Sequence, residues 1–118
     1  MKSGKMAHSY IPERGDFVWL QFNPQTGHEQ AGHRPALVLS PSSYNSKVGL
    51  ALLCPITSQV KGYPFEVAVP SLYPTLKGVI LADQVKSLDW RSRKAKLIDK
   101  APSETLEEVL GKLTALLQ

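Results

Sequence analysis

The spacing of short β-type segments is the sequence feature that most constrains the fold. Residues 17–22 (FVWLQF) are rich in aromatic and β-branched side chains, as strands are. Comparable runs recur at near-regular intervals, with turn-forming residues such as 40–43 (SPSS) between them. These runs span residues 36–39, 48–56, 65–69, 78–82 and, more weakly, 94–98. Residues 85–88 either continue the fifth run or bend away from it. The spacing predicts a small barrel or curled sheet of five to six strands rather than βαβ units.

The C-terminal segment has the periodicity of a helix rather than of a strand. Its apolar residues fall on one helical stripe, which consists of Leu106, Val109, Leu110, Leu113, Leu116 and Leu117. Pro102 and Ser103 supply helix-start signals, and Glu104 lies near the positive end of the helix dipole. We therefore expect an α+β, mainly β fold in which a C-terminal amphipathic helix covers the sheet.

Length and composition fit one small domain inside the cell. A chain of 118 residues with 42% hydrophobic content can bury a single core. Residues 1–9 are polar and lack a signal-peptide pattern, so we expect a mobile N-terminal extension, a single domain over residues 10–118 and a cytoplasmic location. No apolar run approaches the ~20 residues of a membrane span. The single cysteine, Cys54, excludes an internal disulfide, and its apolar surroundings predict a buried thiol.

The positive charge of the chain is concentrated in one stretch. The formal net charge is +4, and residues 86–100 contain six basic and two acidic residues, so that this stretch alone holds an excess of +4. A local basic stripe is typical of a polyanion-binding site. A solvated surface hairpin would have the same charge, and charge alone leaves both interpretations open.

A loop before the second β-type run combines three chemically active groups. Glu29, His33 and Arg34 lie within six positions, after the turn-forming residues 23–27. A carboxylate can take a proton while a guanidinium holds an anion, which suits chemistry on a phosphodiester. A surface ion pair between the acid and the arginine is the alternative for this pattern.

The chain resembles the MazF/PemK family of toxin endoribonucleases, and the MazF branch in particular. The resemblance extends from about residue 10 to 117, and five motifs carry it in the same order as in the family. They are PERGD (12–16), GHEQAGHRP (27–35), PITSQ (55–59), KGYPFEV (61–67) and ADQVKS (82–87). The resemblance implies an SH3-like barrel with a C-terminal helix and a homodimer. It also implies cleavage of single-stranded mRNA without a metal or other cofactor, independently of the ribosome, to 2′,3′-cyclic phosphate and 5′-hydroxyl ends.

The resemblance also assigns catalytic roles. Glu29 matches the loop acid that would accept the proton of the ribose 2′-hydroxyl. Arg34 would stabilise the charge of the phosphorane, since a guanidinium is a poor acid. Thr57 would donate a hydrogen bond to a phosphate oxygen. His33 is the alternative acid or base, because an imidazole titrates near pH ~6.5. The flanking histidines lack a compact ligand spacing, so we expect no metal site.

Further residues near these motifs are predicted to contact RNA. Lys61, Lys86, Arg91 and Arg93 would bind phosphates, and Trp90 is expected to be structural. Bases would stack on aromatic faces. Tyr63 is the candidate for this role that we expect to be exposed, whereas a place in the core is the favoured alternative for Phe22 and Phe65. The remaining candidates are polar residues of the same motifs, namely His28, Gln30, Ser58 and Gln59.

Two other functions are compatible with such a fold. A CcdB-like toxin binds DNA gyrase through a C-terminal tripeptide that contains Trp, whereas this chain ends in Leu116, Leu117 and Gln118. An RNA-binding module would need the basic stripe but not the loop acid. The family resemblance implies a different partner, a small acidic MazE-like antitoxin, which a phosphate-attracting groove would also attract. One sequence does not tell an active family member from an inactive one.

Overall fold

The computed structural model describes residues 10–21, 33–71 and 73–118, which form seven strands and two helices. In chain order the elements are β1 (Asp16–Gln21), β2 (His33–Val38), α1 (Ser42–Val48), β3 (Ala51–Thr57), β4 (Glu66–Ala68), β5 (Val79–Leu81), β6 (Lys86–Leu88), β7 (Lys96–Lys100) and α2 (Ser103–Leu117). The mainly β architecture with a C-terminal helix is confirmed. The strand count is seven rather than five to six. The expected N-terminal extension, residues 1–9, lies outside the described residues.

The strands form one antiparallel sheet in the order β4-β5-β3-β2-β1-β7. β6 lies off this path because it pairs with β3, on the edge that β3 also offers to β5. The pairing with β5 ends at Ile56↔Ile80, and the pairing with β6 begins at Leu53↔Lys86. Between them β3 has two residues (54–55), whereas the opposite segment has five (81–85). The extra residues protrude from the sheet, and they separate β6 from β5. Among the described strands, β4 and β7 are left at the two ends of the sheet.

Alternation along the central strands divides the core into two layers. Phe17, Leu37 and Cys54 point to the face that α2 covers, where Val109 of the helix is fully buried. On the other face, Val18, Leu20, Ala36, Val38, Ala51 and Leu53 pack with Trp90. Trp90 is 5% exposed and therefore structural, as expected. The predicted stripe of α2 is confirmed from Leu106 to Leu113, whereas Leu116 and Leu117 are exposed.

Helix α1 was not expected from the sequence, which predicted a turn at residues 40–43 and a strand from residue 48. Instead the helix begins after Pro41, whose carbonyl accepts hydrogen bonds from the backbone N–H groups of Tyr44 and Asn45. It ends at Gly49 in the left-handed region (φ 84°), so β3 starts only at Ala51. Serine and asparagine are weak helix formers, and tertiary contacts must stabilise this helix instead.

Asn45 supplies those contacts. It is fully buried, and its side-chain amide donates to the backbone oxygens of Pro12 (2.7 Å) and Ser40 (3.0 Å). Its side-chain oxygen accepts a hydrogen bond from the Ser40 hydroxyl (2.5 Å), and its backbone oxygen accepts one from the indole N–H of Trp90 (3.0 Å). One side chain therefore links the start of the chain, the β2–α1 connection and α1 itself.

A second buried polar group holds the PERGD motif. Asp16 is fully buried, and it accepts hydrogen bonds from the Tyr10 hydroxyl (2.5 Å) and the backbone N–H of Glu13 (3.0 Å). It also pairs with the ammonium group of Lys100 on β7 (2.7 Å). The Lys100 side chain is 64% exposed, so solvent weakens this ion pair. Asp16 thus connects the start of β1 to the preceding residues of the motif and to β7.

Replacing Asn45 tests this account of α1. We expect Asn45→Ala to lower the free energy of unfolding by about 2–4 kcal/mol, since several buried groups lose partners at about 1–3 kcal/mol each. Urea unfolding followed by circular dichroism measures the change. Ser46→Ala, at an exposed position of the same helix, is the control and should change stability by less than about 0.5 kcal/mol. Equal effects of the two substitutions would contradict the proposed role of Asn45.

Cys54 is buried, as expected, and its thiol donates a weak hydrogen bond to the Ala82 backbone oxygen (3.9 Å). Burial, reinforced by the charge of Asp83, raises the pKa of this thiol to about 12. An unfolded cysteine titrates near pH ~8.5. The folded state therefore favours the neutral thiol, and this stabilisation is complete below about pH 8.5 and is lost as the pH rises towards 12.

Two measurements check the state of Cys54. Iodoacetamide at about pH 8 should label the thiol in urea but not in the native protein, because only the thiolate is nucleophilic. Above about pH 9, the unfolding free energy should fall more steeply for the wild type than for Cys54→Ser, by at most about 1.4 kcal/mol per pH unit. Rapid native labelling would show that the thiol is accessible and would contradict the buried assignment.

Candidate functional site

Arg34 and Thr57 are brought together by the register of two central strands. β2 pairs antiparallel with β3 through Ala36↔Pro55, Leu37↔Cys54 and Val38↔Leu53. Continuing this register by two residues places Arg34 opposite Thr57, on the same face of the sheet. The buried apolar residues of both strands fix the register, because a slip of one residue would turn them all to the opposite face.

The two side chains are free to act on a ligand. Arg34 is exposed, and it makes no side-chain hydrogen bond or ion pair with any other residue in the part of the chain that the structure describes. The Thr57 hydroxyl oxygen accepts a hydrogen bond from the backbone N–H of Gln59 (3.1 Å). This contact orients the hydroxyl group and leaves its hydrogen available as a donor. An accessible guanidinium and an oriented hydroxyl on the same face of adjacent strands can bind two oxygens of one phosphate.

A groove runs past this pair on both sides. The larger pocket has a volume of about 780 Å³ and lies between the ends of β2 and β3 and the β4–β5 loop. The second pocket, about 510 Å³, lies towards β6 and the turn before β7. Both contain Arg34, Ile56 and Thr57 in their walls, so the pair stands where the two pockets meet. A third pocket of about 120 Å³ also opens next to Thr57, beside Lys61 and Tyr63.

The two larger pockets are strongly cationic. Lys77 joins Arg34 in the larger one, and Lys86 and Arg93 join it in the second. No aspartate or glutamate occurs among the described residues that line either pocket. An exposed groove with charges of one sign attracts polyanions and repels cations.

Backbone packing fixes the position of Thr57. Gly78, just before β5, has φ +117°, a conformation that L side chains rarely adopt. A Cβ atom at this position would lie 1.9 Å from the backbone oxygen of Thr57 and 2.7 Å from the Cα of Ser58. Only glycine lets β5 approach the end of β3 this closely.

The KGYPFEV loop is held by a carboxylate and a phenol. Glu66 accepts hydrogen bonds from the backbone N–H groups of Lys61 and Gly62, both at 2.9 Å. Tyr63 donates its hydroxyl to Asp83 (2.7 Å), and this hydrogen bond raises the pKa of the phenol. Tyr63 is partly exposed, and its ring lies 6.4 Å from that of Phe65.

His33 also borders the larger pocket. Its ring makes an edge contact with Trp19 on β1, with 5.3 Å between the ring centroids and 65° between the planes. As neighbours on β2, His33 and Arg34 alternate across the sheet, yet both residues line the mouth of this pocket. An imidazole is thus present beside the Arg34–Thr57 pair.

Most of the predicted site residues that the structure describes line the groove. In addition to the central pair and His33, the walls of the three pockets contain Ser58, Gln59, Lys61, Tyr63, Lys86 and Arg93. Arg91 is not among the residues that line them; its guanidinium stacks on the Trp90 ring, 4.6 Å from the centroid. The other predicted residues, Phe22, His28, Glu29 and Gln30, lie outside the described residues.

Three polar residues of the two larger pockets were not predicted from the sequence. Thr75 and Lys77 come from the β4–β5 loop, which carries none of the recognised motifs. Gln84 lies within ADQVKS, and it reaches two of the pockets because the β5–β6 segment protrudes from the sheet. The position of Gln84 in a recognised motif was a usable signal, whereas Lys77 had no sequence signal beyond a Lys-Gly turn before a strand.

The described residues contain no group of three or more His, Cys, Asp or Glu side chains arranged to hold a metal ion. Neither described helix is long and apolar enough to cross a membrane.

Comparisons with known proteins identify the family. The family of PemK-like, MazF-like toxins of type II toxin–antitoxin systems matches residues 13–117. The chain is 47% identical over 112 residues to the endoribonuclease toxin MazF of Escherichia coli K12, covering 95% of this chain and 99% of that protein. It is 40% identical over 110 residues to the endoribonuclease toxin ChpB of the same strain, covering 90% and 94%.

Solved structures agree with this match. A crystal structure of MazF from Deinococcus radiodurans has a TM-score of 0.83 at 56% identity and covers 92% of this chain and 98% of its own. A MazE–MazF crystal structure from the same organism has a TM-score of 0.84 at 54% identity, with coverage of 92% and 97%. The chain therefore belongs to the PemK-like, MazF-like toxins of type II toxin–antitoxin systems, which confirms the resemblance based on the five motifs.

Substituting Gly78 tests how the site is positioned. We expect Gly78→Ala to destabilise the protein more than Gly49→Ala does. Both positions have positive φ, which costs about 1–2 kcal/mol for an alanine, but nothing lies within 4 Å of a Cβ at Gly49. The clash at Gly78 should add about 1–3 kcal/mol, measured by urea unfolding. Equal losses in the two variants would mean that β5 does not press on the end of β3.

Proposed function

We propose that this protein is the toxin of a type II toxin–antitoxin pair and that it cleaves single-stranded RNA in the groove centred on Arg34 and Thr57. The observation that carries the proposal is the placement of this guanidinium, which has no partner among the described residues, and of the oriented hydroxyl at the junction of two cationic pockets. The endoribonuclease relatives, at 40–47% identity over most of the chain, support the same reaction class. They also favour it over the binding of gyrase.

The reaction is an internal transesterification. The ribose 2′-oxygen forms a bond to the adjacent phosphorus, the bond from phosphorus to the 5′-oxygen breaks, and the products carry a 2′,3′-cyclic phosphate and a 5′-hydroxyl. Arg34 stabilises the charge that builds up on the non-bridging oxygens, and Thr57 donates a hydrogen bond to one of them. Glu29, by the family resemblance, takes the proton of the 2′-hydroxyl. His33 is the alternative acid or base.

The side chains that line the groove support a reaction without a metal. The described residues that line the two larger pockets present guanidinium, ammonium, hydroxyl and amide groups, whereas Mg²⁺ binds carboxylates and water. Cations already occupy the positions from which a divalent ion would have to neutralise the phosphate. Protein side chains would therefore supply the charge stabilisation that metal-dependent nucleases obtain from the ion.

A small acidic antitoxin fits the same groove. The solved relatives include MazE–MazF complexes from Deinococcus radiodurans. A flexible segment rich in aspartate and glutamate would be attracted by the charges that attract phosphates, and its association would be fast and sensitive to salt. We further propose that the toxin is a homodimer, as the family resemblance implies, and that it acts in the cytoplasm.

Arg34 provides the direct test of this function. Arg34→Ala should reduce the rate of RNA cleavage at least ~100-fold, the scale for removing one charge-stabilising donor. Because Arg34 is exposed and unpartnered among the described residues, the thermal midpoint should change little. Arg34→Lys should recover only part of the rate, since lysine keeps the charge but not the planar fork. Lys47→Ala, on α1 and outside the three pockets, is the matched control.

The assay uses a long single-stranded RNA in excess EDTA, with both ends of each product mapped. We expect cleavage with chelator present and 5′-hydroxyl ends. Loss of cleavage on chelation, or 3′-hydroxyl products, would contradict the transesterification. A wild-type protein that binds RNA but never cuts it would indicate a binding module or an inactive family member instead.

A further inference from the structure

The β4–β5 loop, residues 69–78, forms a wall of the larger pocket and is anchored in the core. Tyr73 is 8% exposed; its ring packs edge-on against Phe17 (5.2 Å between centroids), and its hydroxyl donates to the backbone oxygen of Lys100 (2.6 Å). Leu76 is 2% exposed, and its backbone N–H donates to the Tyr73 oxygen (3.0 Å). The loop is thus fixed at two points, although none of its described residues belongs to a strand.

Between and beside these anchors, the loop presents polar groups to the pocket. Pro74, Thr75 and Lys77 are exposed and line it. The Lys77 ammonium makes no hydrogen bond or ion pair with the residues that the structure describes. By contrast, Lys100 pairs with Asp16, and Lys112 donates to the backbone oxygen of Pro64 (2.7 Å). Lys77 therefore has a charge that no described side chain neutralises.

Lys77 is also close to the reacting position. It immediately precedes Gly78, the residue whose Cα packs against the backbone of Thr57. Lys77 lies beside the end of β3 that carries Thr57, whereas Lys86 and Arg93 line the other pocket. The cations therefore lie on both sides of the Arg34–Thr57 pair rather than on one side only.

We propose that Lys77, with Thr75, forms a second phosphate-binding subsite for the RNA strand, on the side of the Arg34–Thr57 pair opposite to Lys86 and Arg93. The inference rests on the proposed function, since it assumes that the scissile phosphate lies at Arg34 and Thr57. The volume of about 780 Å³ lies within the ~300–1,000 Å³ range of ligand pockets. A strand that crosses both pockets then has flanking phosphates bound on each side of the cleaved bond.

The subsite should contribute affinity and alignment without sequence choice. Contacts to phosphates position a nucleic acid, and contacts to base edges select its sequence. Because Tyr73 and Leu76 hold the loop in place, little ordering of the backbone is needed when RNA binds. Lys77 would thus fix where the strand lies relative to Arg34 and Thr57, and the identity of the cleaved sequence would come from other residues.

Binding of uncleavable RNA tests the subsite. The probe is a single-stranded oligonucleotide with 2′-O-methyl groups throughout, titrated between about 50 and 200 mM salt. Lys77→Ala should weaken binding and flatten the slope of log affinity against log salt by ~0.7, the value for one phosphate contact on a single strand. Lys77→Arg should restore the slope. Lys86→Ala should show the same flattening from the other side of the groove, and Lys47→Ala should leave the slope unchanged.

Shortening the RNA probe shows on which side of the Arg34–Thr57 pair each lysine binds. The same probe is trimmed from its 5′ end or from its 3′ end, with wild type and both lysine variants compared at each length. The difference between wild type and Lys77→Ala should disappear on trimming from one end, and that between wild type and Lys86→Ala on trimming from the other. If both differences disappear from the same end, the two lysines are on the same side and the proposal is wrong.

Cleavage assays separate this proposal from the function itself. With a cleavable long RNA, Lys77→Ala should raise KM by a larger factor than it lowers kcat, and the cleaved sequence should stay the same. If the wild type cleaves and Lys77→Ala matches it in KM and salt slope, the subsite is refuted while the function stands. If the wild type does not cleave at all, the proposed function fails. Weaker binding of an acidic peptide with unaltered RNA binding would assign Lys77 to a protein partner and overturn the subsite.

Discussion

Ala36, Leu37 and Val38 of β2 pair with Pro55, Cys54 and Leu53 of β3, and much of the molecule depends on this register. Because the paired strands are buried on both faces, their apolar side chains can occupy the two core layers in only one alignment. The same alignment brings the polar ends of β2 and β3 to one place at the mouth of the groove. A structural requirement, the burial of two apolar layers, therefore also positions the reactive groups.

The groove is built from segments that need support from the rest of the fold. Gly78 allows β5 to pack against the end of β3, Glu66 ties down the loop that follows β3, and Tyr73 anchors the loop before β5. None of these residues needs to touch a substrate. They hold the backbone of the walls in place, so that RNA binding has to order the cationic side chains but little of the backbone.

The local sequence determined the strands, the C-terminal helix and part of the site. Sequence pattern located most strands, because runs of aromatic and β-branched residues alternate with turn-forming residues. It located α2 because the stripe at Leu106, Val109 and Leu113 fits one helix face. Motif resemblance then identified Arg34 and Thr57, which the structure places in one groove. These features depend on residues that are near one another in the chain or that match known motifs.

Tertiary structure alone decided the rest. Helix α1 has little intrinsic propensity and depends on hydrogen bonds that Asn45 makes to residues distant in the chain. The basic stripe, continuous in sequence, is divided in space: Arg93 lines the groove while Arg91 stacks on Trp90. Lys77 reaches the groove through a loop that carries no recognised motif. A sequence pattern records the period and chemistry of neighbouring residues, whereas these positions are set by contacts between segments that only folding brings together.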